Sequence, residues 1–199
     1  MILGYRDLLK LWEKKQLCFD PEIDAEKQVG LSSIDLRLSA LFTKHIVKPG
    51  YTFEPFAADF DPGPITQTTD LSEQQLLIGQ KPGFLLKPNE FVLSRTLEKV
   101  RIPFSCAAQV QGTTTGARAG LSIHSTAPHV HPGFFGPIVL EIKNNGDWDL
   151  NLVPGQRICQ LILFKIKTPV SRKEVSLMSS YYGQVQPYEK RRVGAKTVP

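Results

Sequence analysis

Short runs of β-branched and alternating apolar residues, cut at close intervals by glycine, proline, asparagine and aspartate, constrain this chain more than any other feature. The runs are SIDLRL (33–38), FTKHIV (42–47), GFLLKP (83–88), EFVLSRT (90–96), CAAQVQG (106–112), PIVLEIK (137–143), LNLVPG (150–155) and ICQLILFKI (158–166). Turn signals recur roughly every ten residues, the rhythm of short strands. VPGQR and KPGF read as turns that interrupt strands, because proline cannot donate to a central ladder. Ahead of these runs, residues 5–17 (YRDLLKLWEKKQL) set Leu8, Leu9, Leu11 and Trp12 on one helical face. The expected architecture is all-β, a sandwich or jelly roll with one N-terminal helix.

At 199 residues the chain is of single-domain size and long enough to bury a real core. Residues 1–199 are therefore read as one domain. The stretch 53–73 (FEPFAADFDPGPITQTTDLSE) reads as a long ordered loop or insertion. Beyond Lys167 the periodicity fades, and the segment 168–199 is expected to act as a tail or arm that crosses the surface or reaches a neighbouring subunit.

Several classes of function are disfavoured at this point. No apolar run approaches the ~20 residues of a membrane helix. The N-terminal MILGYRDLLKLWEKK mixes acids and bases where a signal peptide has an apolar core, so a cytoplasmic protein is expected. The formal charge is +5, and Lys190, Arg191, Arg192 and Lys196 concentrate it near the end of the chain. Such a tail is either a solvated terminus or a partner for substrate phosphates or another polyanion. Neither a basic helix nor an aromatic–basic strand pattern is present, which disfavours nucleic acid as the main partner. Cys18, Cys106 and Cys159 are widely spaced without a C-x-x-C, so neither a disulfide framework nor a structural zinc site is expected.

Three places carry residues suited to chemistry. In GTTTGAR (112–118), glycines free the backbone to turn N–H groups toward an anion, three threonines add hydroxyls, and Arg118 adds a planar fork. The same letters also fit a plain β-turn with solvent-facing threonines. Glu141 sits in PIVLEIKNNG, where Ile138, Leu140 and Ile142 alternate with Val139, Glu141 and Lys143. It is either a solvent-facing strand carboxylate or, if held in a pocket, a proton shuttle. His124, His129 and His131 form H-x4-H-x-H, but no carboxylate or thiolate accompanies them as a further metal ligand. The H-x-E and P-C-x-x-C pair of zinc-dependent nucleobase deaminases is absent.

Taken in order, the pieces SSIDLRLS (32–39), EFVLSRTLEKVRIP (90–103), VQGTTTGARAGL (110–121), HSTAPHVHPGFFGPIVLEIKNNG (124–146), LVPGQRICQLILF (152–164) and YYGQ (181–184) resemble the dCTP deaminase family of the dUTPase-like superfamily. The resemblance spans nearly the whole chain, and its long central block is its most specific part. It implies a distorted jelly roll of the β-clip, dUTPase-like kind, assembled as a homotrimer with nucleotide sites between subunits. It implies hydrolytic removal of ammonia from C4 of the cytosine in dCTP to give dUTP, without zinc and with Mg²⁺ on the triphosphate.

Residue by residue, the family's acid/base glutamate falls on Glu141, and the groups that hold the attacking water fall on Thr114 and Arg118. The phosphate-binding turn falls on Thr113, Thr114, Thr115, Gly116, Ala117 and Arg118. Val139 and Leu140, just before Glu141, are expected among the substrate-binding residues, and Gln160, Tyr181 and Gln184 are expected to reach the nucleotide. The chain departs from the family's pattern at three contacts. Thr113 replaces an arginine, His131 replaces the aspartate that meets the sugar 3′-hydroxyl, and Ser180 replaces a lysine. His129, His131 or the basic tail stand as replacements for the lost phosphate charge, with another nucleotide as the alternative substrate. The change at His131 also removes the carboxylate that organises water in dUTP-hydrolysing relatives, which disfavours a dUTP diphosphatase or bifunctional enzyme. A nucleotide-binding regulatory trimer without catalysis is the remaining reading, and the retained Glu141 and Arg118 count against it.

Overall fold

A computed structural model of the chain describes residues 1–46, 49–50, 52, 54, 65–72 and 82–178. All eight expected runs contain strand. In chain order the elements are α1 (Tyr5–Glu13), β1 (Cys18–Asp20), α2 (Ala25–Gln28), β2 (Ile34–Arg37), β3 (Leu41–His45) and β4 (Thr66–Asp70). There follow β5 (Phe84–Leu86), β6 (Phe91–Arg101), β7 (Cys106–Gly112), α3 (Thr114–Arg118), β8 (Leu121–Ser122) and β9 (His129–Val130). The chain continues through β10 (Phe135–Asn144), β11 (Leu150–Leu152), β12 (Arg157–Lys165) and α4 (Arg172–Met178).

The strands form two main sheets. One runs β4-β3-β6-β10-β8, with β1 added along β6, and the other runs β2-β12-β7-β9, with β5 and β11 as a separate pair. Alternation decides which side chains enter the core: Ile138, Leu140 and Ile142 of β10 and Leu161 and Leu163 of β12 are buried in one apolar cluster. The result is the expected all-β, distorted jelly roll. In the β6/β10 ladder the register shifts between Pro137 and Val139. Pro137 cannot donate there, and the next amide, Ile138 N, donates instead to the Thr96 hydroxyl at 2.9 Å.

Four local expectations change. The N-terminal helix ends at Glu13, not Leu17, because Lys15 takes a positive φ and turns the chain into β1. Residues 113–118 form a short helix in place of a β-turn, because Thr113 caps it by accepting from Gly116 N at 3.2 Å. The end of the 53–73 stretch is strand β4, an exposed edge strand paired with β3. The segment after Lys167 includes helix α4, whose Val175 is buried beside Gly133.

One buried charge joins the layers. Glu98, on β6, is fully buried and accepts from Arg37 Nε at 2.7 Å, Arg37 N at 2.9 Å and Gln28 Nε2 at 3.1 Å. Removing the Arg37 side chain leaves this buried carboxylate without its counter-charge, a change that costs about 3–5 kcal/mol in comparable buried pairs. Arg37→Ala should therefore lower Tm by on the order of 10 °C for a domain of this size, and Glu98→Gln, which keeps shape and an acceptor, should lower it less. Differential scanning calorimetry of the two variants checks the order, and an unchanged Arg37→Ala would contradict it.

Candidate active site

The site is assembled where β7 leaves one sheet and the chain crosses to the other. Gly112 ends β7 opposite Cys159 of β12, and Thr113 starts the helical turn that carries Thr114 and Arg118. Thr114, Thr115, Ala117 and Arg118 are exposed, and Gly116 is half-buried. Among the described residues, the side chains of Thr114 and Arg118 make no hydrogen bond or ion pair, which leaves their donors available to an anion or to a neighbouring subunit.

After Gly120 the chain runs antiparallel to β10. β8 pairs Ser122 with Lys143 and Leu121 with Asn144, and Glu141 N donates to Ile123 O at 3.0 Å. Glu141 is half-buried on the face opposite Leu140 and Ile142, so its carboxylate stays out of the core. Its Oε2 accepts from Ser125 N at 2.8 Å. One oxygen is thus held by a main-chain amide, the geometry expected of a carboxylate that must present its other oxygen in a fixed direction. Val139 and Lys143 share this face, and the register places Leu93 and Arg95 of β6 beside them. Leu140 is fully buried, so its side chain belongs to the core.

Gln160 lies on the second sheet. It is opposite Asp35 on one side and Gln111 on the other, and it donates from Nε2 to Asp35 Oδ1 at 3.2 Å. Gln111 Oε1 is 3.4 Å from His124 Nε2, while His124 Nδ1 is buried with no partner among the described residues. Asp35, Gln160, Gln111 and His124 therefore form a polar row leading from the outer strand to Ser125 and Glu141. Sequence reasoning missed Asp35, Gln111, Ser125 and Arg95, because their placement depends on pairing between distant strands. Tyr181, Gln184 and Ser180 lie outside the described residues.

His129 and His131 share a face, as i and i+2 on an extended segment must, with ring centroids 4.8 Å apart. Among the described residues no three His, Cys, Asp or Glu side chains converge as metal ligands. Cys106 and Cys159 are buried free thiols, and burial, with Glu98 and Asp35 nearby, pushes the Cys159 thiol up.

The family model described as dCTP deaminase-like matches residues 2–166. A dCTP deaminase, dUMP-forming, of Dictyoglomus thermophilum is 35% identical over 92% of this chain and 89% of its own length. The protein of the same description from Methanosphaera stadtmanae is 36% identical over 94% of this chain and 91% of its own. A dCTP deaminase of Halorubrum lacusprofundi is 34% identical over 96% and 91%. The crystal structure of 2′-deoxycytidine 5′-triphosphate deaminase from Agrobacterium tumefaciens superposes with a TM-score of 0.62 at 19% identity, covering 87% of this chain and 49% of that one. That structure has the same fold. The chain belongs to the dCTP deaminase-like family.

Partial desolvation of its exposed ring, and then the neighbouring His129, lower the pKa of His131 below its ordinary value. The unfolded chain therefore binds the proton more readily, and stability present above about pH 6.5 is lost as pH falls through the folded value. His131→Asn should flatten the dependence of Tm on pH between about 7.5 and 5. Thermal melts across that range check it, and parallel curves for the two proteins would contradict it.

Proposed function

We propose that this protein is a hydrolytic deaminase of dCTP, converting dCTP and water to dUTP and ammonia. The observation that carries the reading is Glu141, half-buried with one oxygen held by Ser125 N, on a strand that pairs with β8, the segment following the turn that carries Thr114 and Arg118. In this reading Glu141 takes a proton from water as its oxygen attacks C4 and delivers a proton to N3. The carboxylate so regenerated takes the proton of the new C4 hydroxyl and passes it to the exocyclic amine, and as the C4–N bond breaks the carbonyl forms and ammonia leaves. Thr114 and Arg118 hold the water and the developing charge, and the turn from Thr113 to Arg118 receives phosphate oxygens. His131 stands where the family places the 3′-hydroxyl contact, and Gln160, Tyr181 and Gln184 complete the nucleotide's surroundings.

The reading is zinc-independent, because the chain lacks the motif pair that zinc deaminases use and Glu141 supplies the proton transfers. Mg²⁺ would arrive on the triphosphate, whose oxygens are hard ligands of the kind it prefers. We infer a homotrimer with sites between subunits, consistent with an exposed Arg118 that has no partner among the described residues, and a cytoplasmic setting.

A second reading concerns the product. The Dictyoglomus and Methanosphaera relatives are named as dUMP-forming, which favours a further step from dUTP to dUMP and pyrophosphate. His131, in place of a carboxylate, weighs against that step here.

Incubation with dCTP, CTP, dCMP and dUTP plus Mg²⁺, following ammonia and pyrophosphate, tests both readings. Ammonia from dCTP is expected, and Glu141→Gln should lower its kcat by ~10²–10⁴-fold while nucleotide binding persists. Equimolar pyrophosphate would establish the dUMP-forming reading. Nucleotide binding with neither product would leave a regulatory trimer, and a zinc-dependent activity would overturn the mechanism.

A further inference from the structure

We propose that His124 reads the amino group at C4 of the cytosine, accepting a hydrogen bond from it through Nδ1, an inference that rests on the deaminase reading above. His124 Nδ1 is buried and has no partner among the described residues. Buried polar atoms in folded proteins are nearly always paired, and one left alone weakens the fold unless a partner arrives from elsewhere.

The other ring nitrogen sets what that partner must be. Nε2 lies 3.4 Å from Gln111 Oε1, an amide oxygen that only accepts, so the proton of the neutral ring sits on Nε2. Nδ1 is then a lone pair and requires a donor. The amides on either side are already spent. Ser125 N donates to Glu141 Oε2 at 2.8 Å, and Glu141 N donates to Ile123 O at 3.0 Å. A resident water would need roughly 2–4 polar partners of its own.

His124 stands between Ile123 and Ser125, the two residues whose main chains contact Glu141. It is half-buried and the three residues after it are exposed, so its ring lies just beneath the surface beside the carboxylate. The donor that fits arrives with the ligand. At C4 the cytosine ring carries an amino group, which donates, and the deaminated ring carries a carbonyl oxygen, which only accepts. Nδ1 pairs with the first and meets the second lone pair to lone pair. His124 therefore favours substrate over product at the atom where the reaction occurs, and deamination removes the hydrogen bond that held the base. Recognition through a buried polar partner discriminates more sharply than shape does.

Two substitutions separate the two ring nitrogens. The side-chain amide of His124→Asn falls near the place of Nδ1, whereas that of His124→Gln reaches toward the place of Nε2 and leaves nothing at Nδ1. Each is combined with Glu141→Gln, which stops turnover, and titrated with dCTP and dUTP plus Mg²⁺ by isothermal calorimetry. Glu141→Gln alone should bind dCTP at least about tenfold more tightly than dUTP, the worth of one such hydrogen bond. Adding His124→Gln should weaken dCTP about tenfold and leave dUTP as tight or tighter, while adding His124→Asn should keep most of the preference. An equal loss for both nucleotides, a preference unchanged by His124→Gln, or the reverse order of the two variants would overturn the inference. Ammonia release by the wild-type protein is measured alongside. If dCTP yields no ammonia, the deaminase reading fails and this inference with it; if ammonia is released and His124→Gln keeps the preference, this inference alone fails.

Discussion

The ladder between Phe91–Arg101 and Phe135–Asn144 is the contact on which the rest of the molecule depends. β6 is long enough to pair with β10 along its length while also taking β3 near Leu93 and β1 from Lys99 to Arg101. On one side it supplies Val92 and Val100 to the core, and within the same strand it holds Glu98 for Arg37 and Gln28. β10 uses its buried side, Ile138, Leu140 and Ile142, for packing, which leaves the alternate positions for function. A one-residue slip would exchange Leu140 with Glu141 and bury an unpaired carboxylate, so hydrophobic register fixes Glu141 in place.

The site divides its residues into held and offered. Glu141 is held through Ser125 N, Gln160 through Asp35, and Thr113 through its cap on Gly116. Thr114 and Arg118 are offered, exposed and without side-chain partners among the described residues. This is the division expected of a site that meets a polyanion. Under the proposed function, a carboxylate that transfers protons needs a set direction, while a cation and hydroxyls can gain their partners from the ligand.

Alternation made the long strands legible, since β6, β7, β10 and β12 each bury one side and their letters show it. Glu141 was legible as a choice between solvent and pocket, and cross-strand pairing made it half-buried. The elements that sequence reading missed are those with weak periodic signals. β4 reads TQTTD because it is an exposed edge strand, and α3 is held by one threonine cap within a run whose composition suggests a turn. Asp35 and Gln111 become neighbours of Gln160 only after three strands have paired, a relation that no local pattern encodes. The resemblance to the dCTP deaminase family supplied the roles of Glu141, Arg118 and Thr114, which their own spacing left open.

Under the proposed function, one face of β10 and the turn after β7 bind a cytosine nucleotide together. A crystal structure of the Glu141→Gln protein with dCTP and Mg²⁺ tests it most directly. The expected structure has a water held at residue 141 at the near-attack spacing of roughly 3–3.5 Å from C4 of the cytosine, and phosphate oxygens at residues 113–118. A nucleotide bound away from β10, or one whose base points away from residue 141, would contradict it.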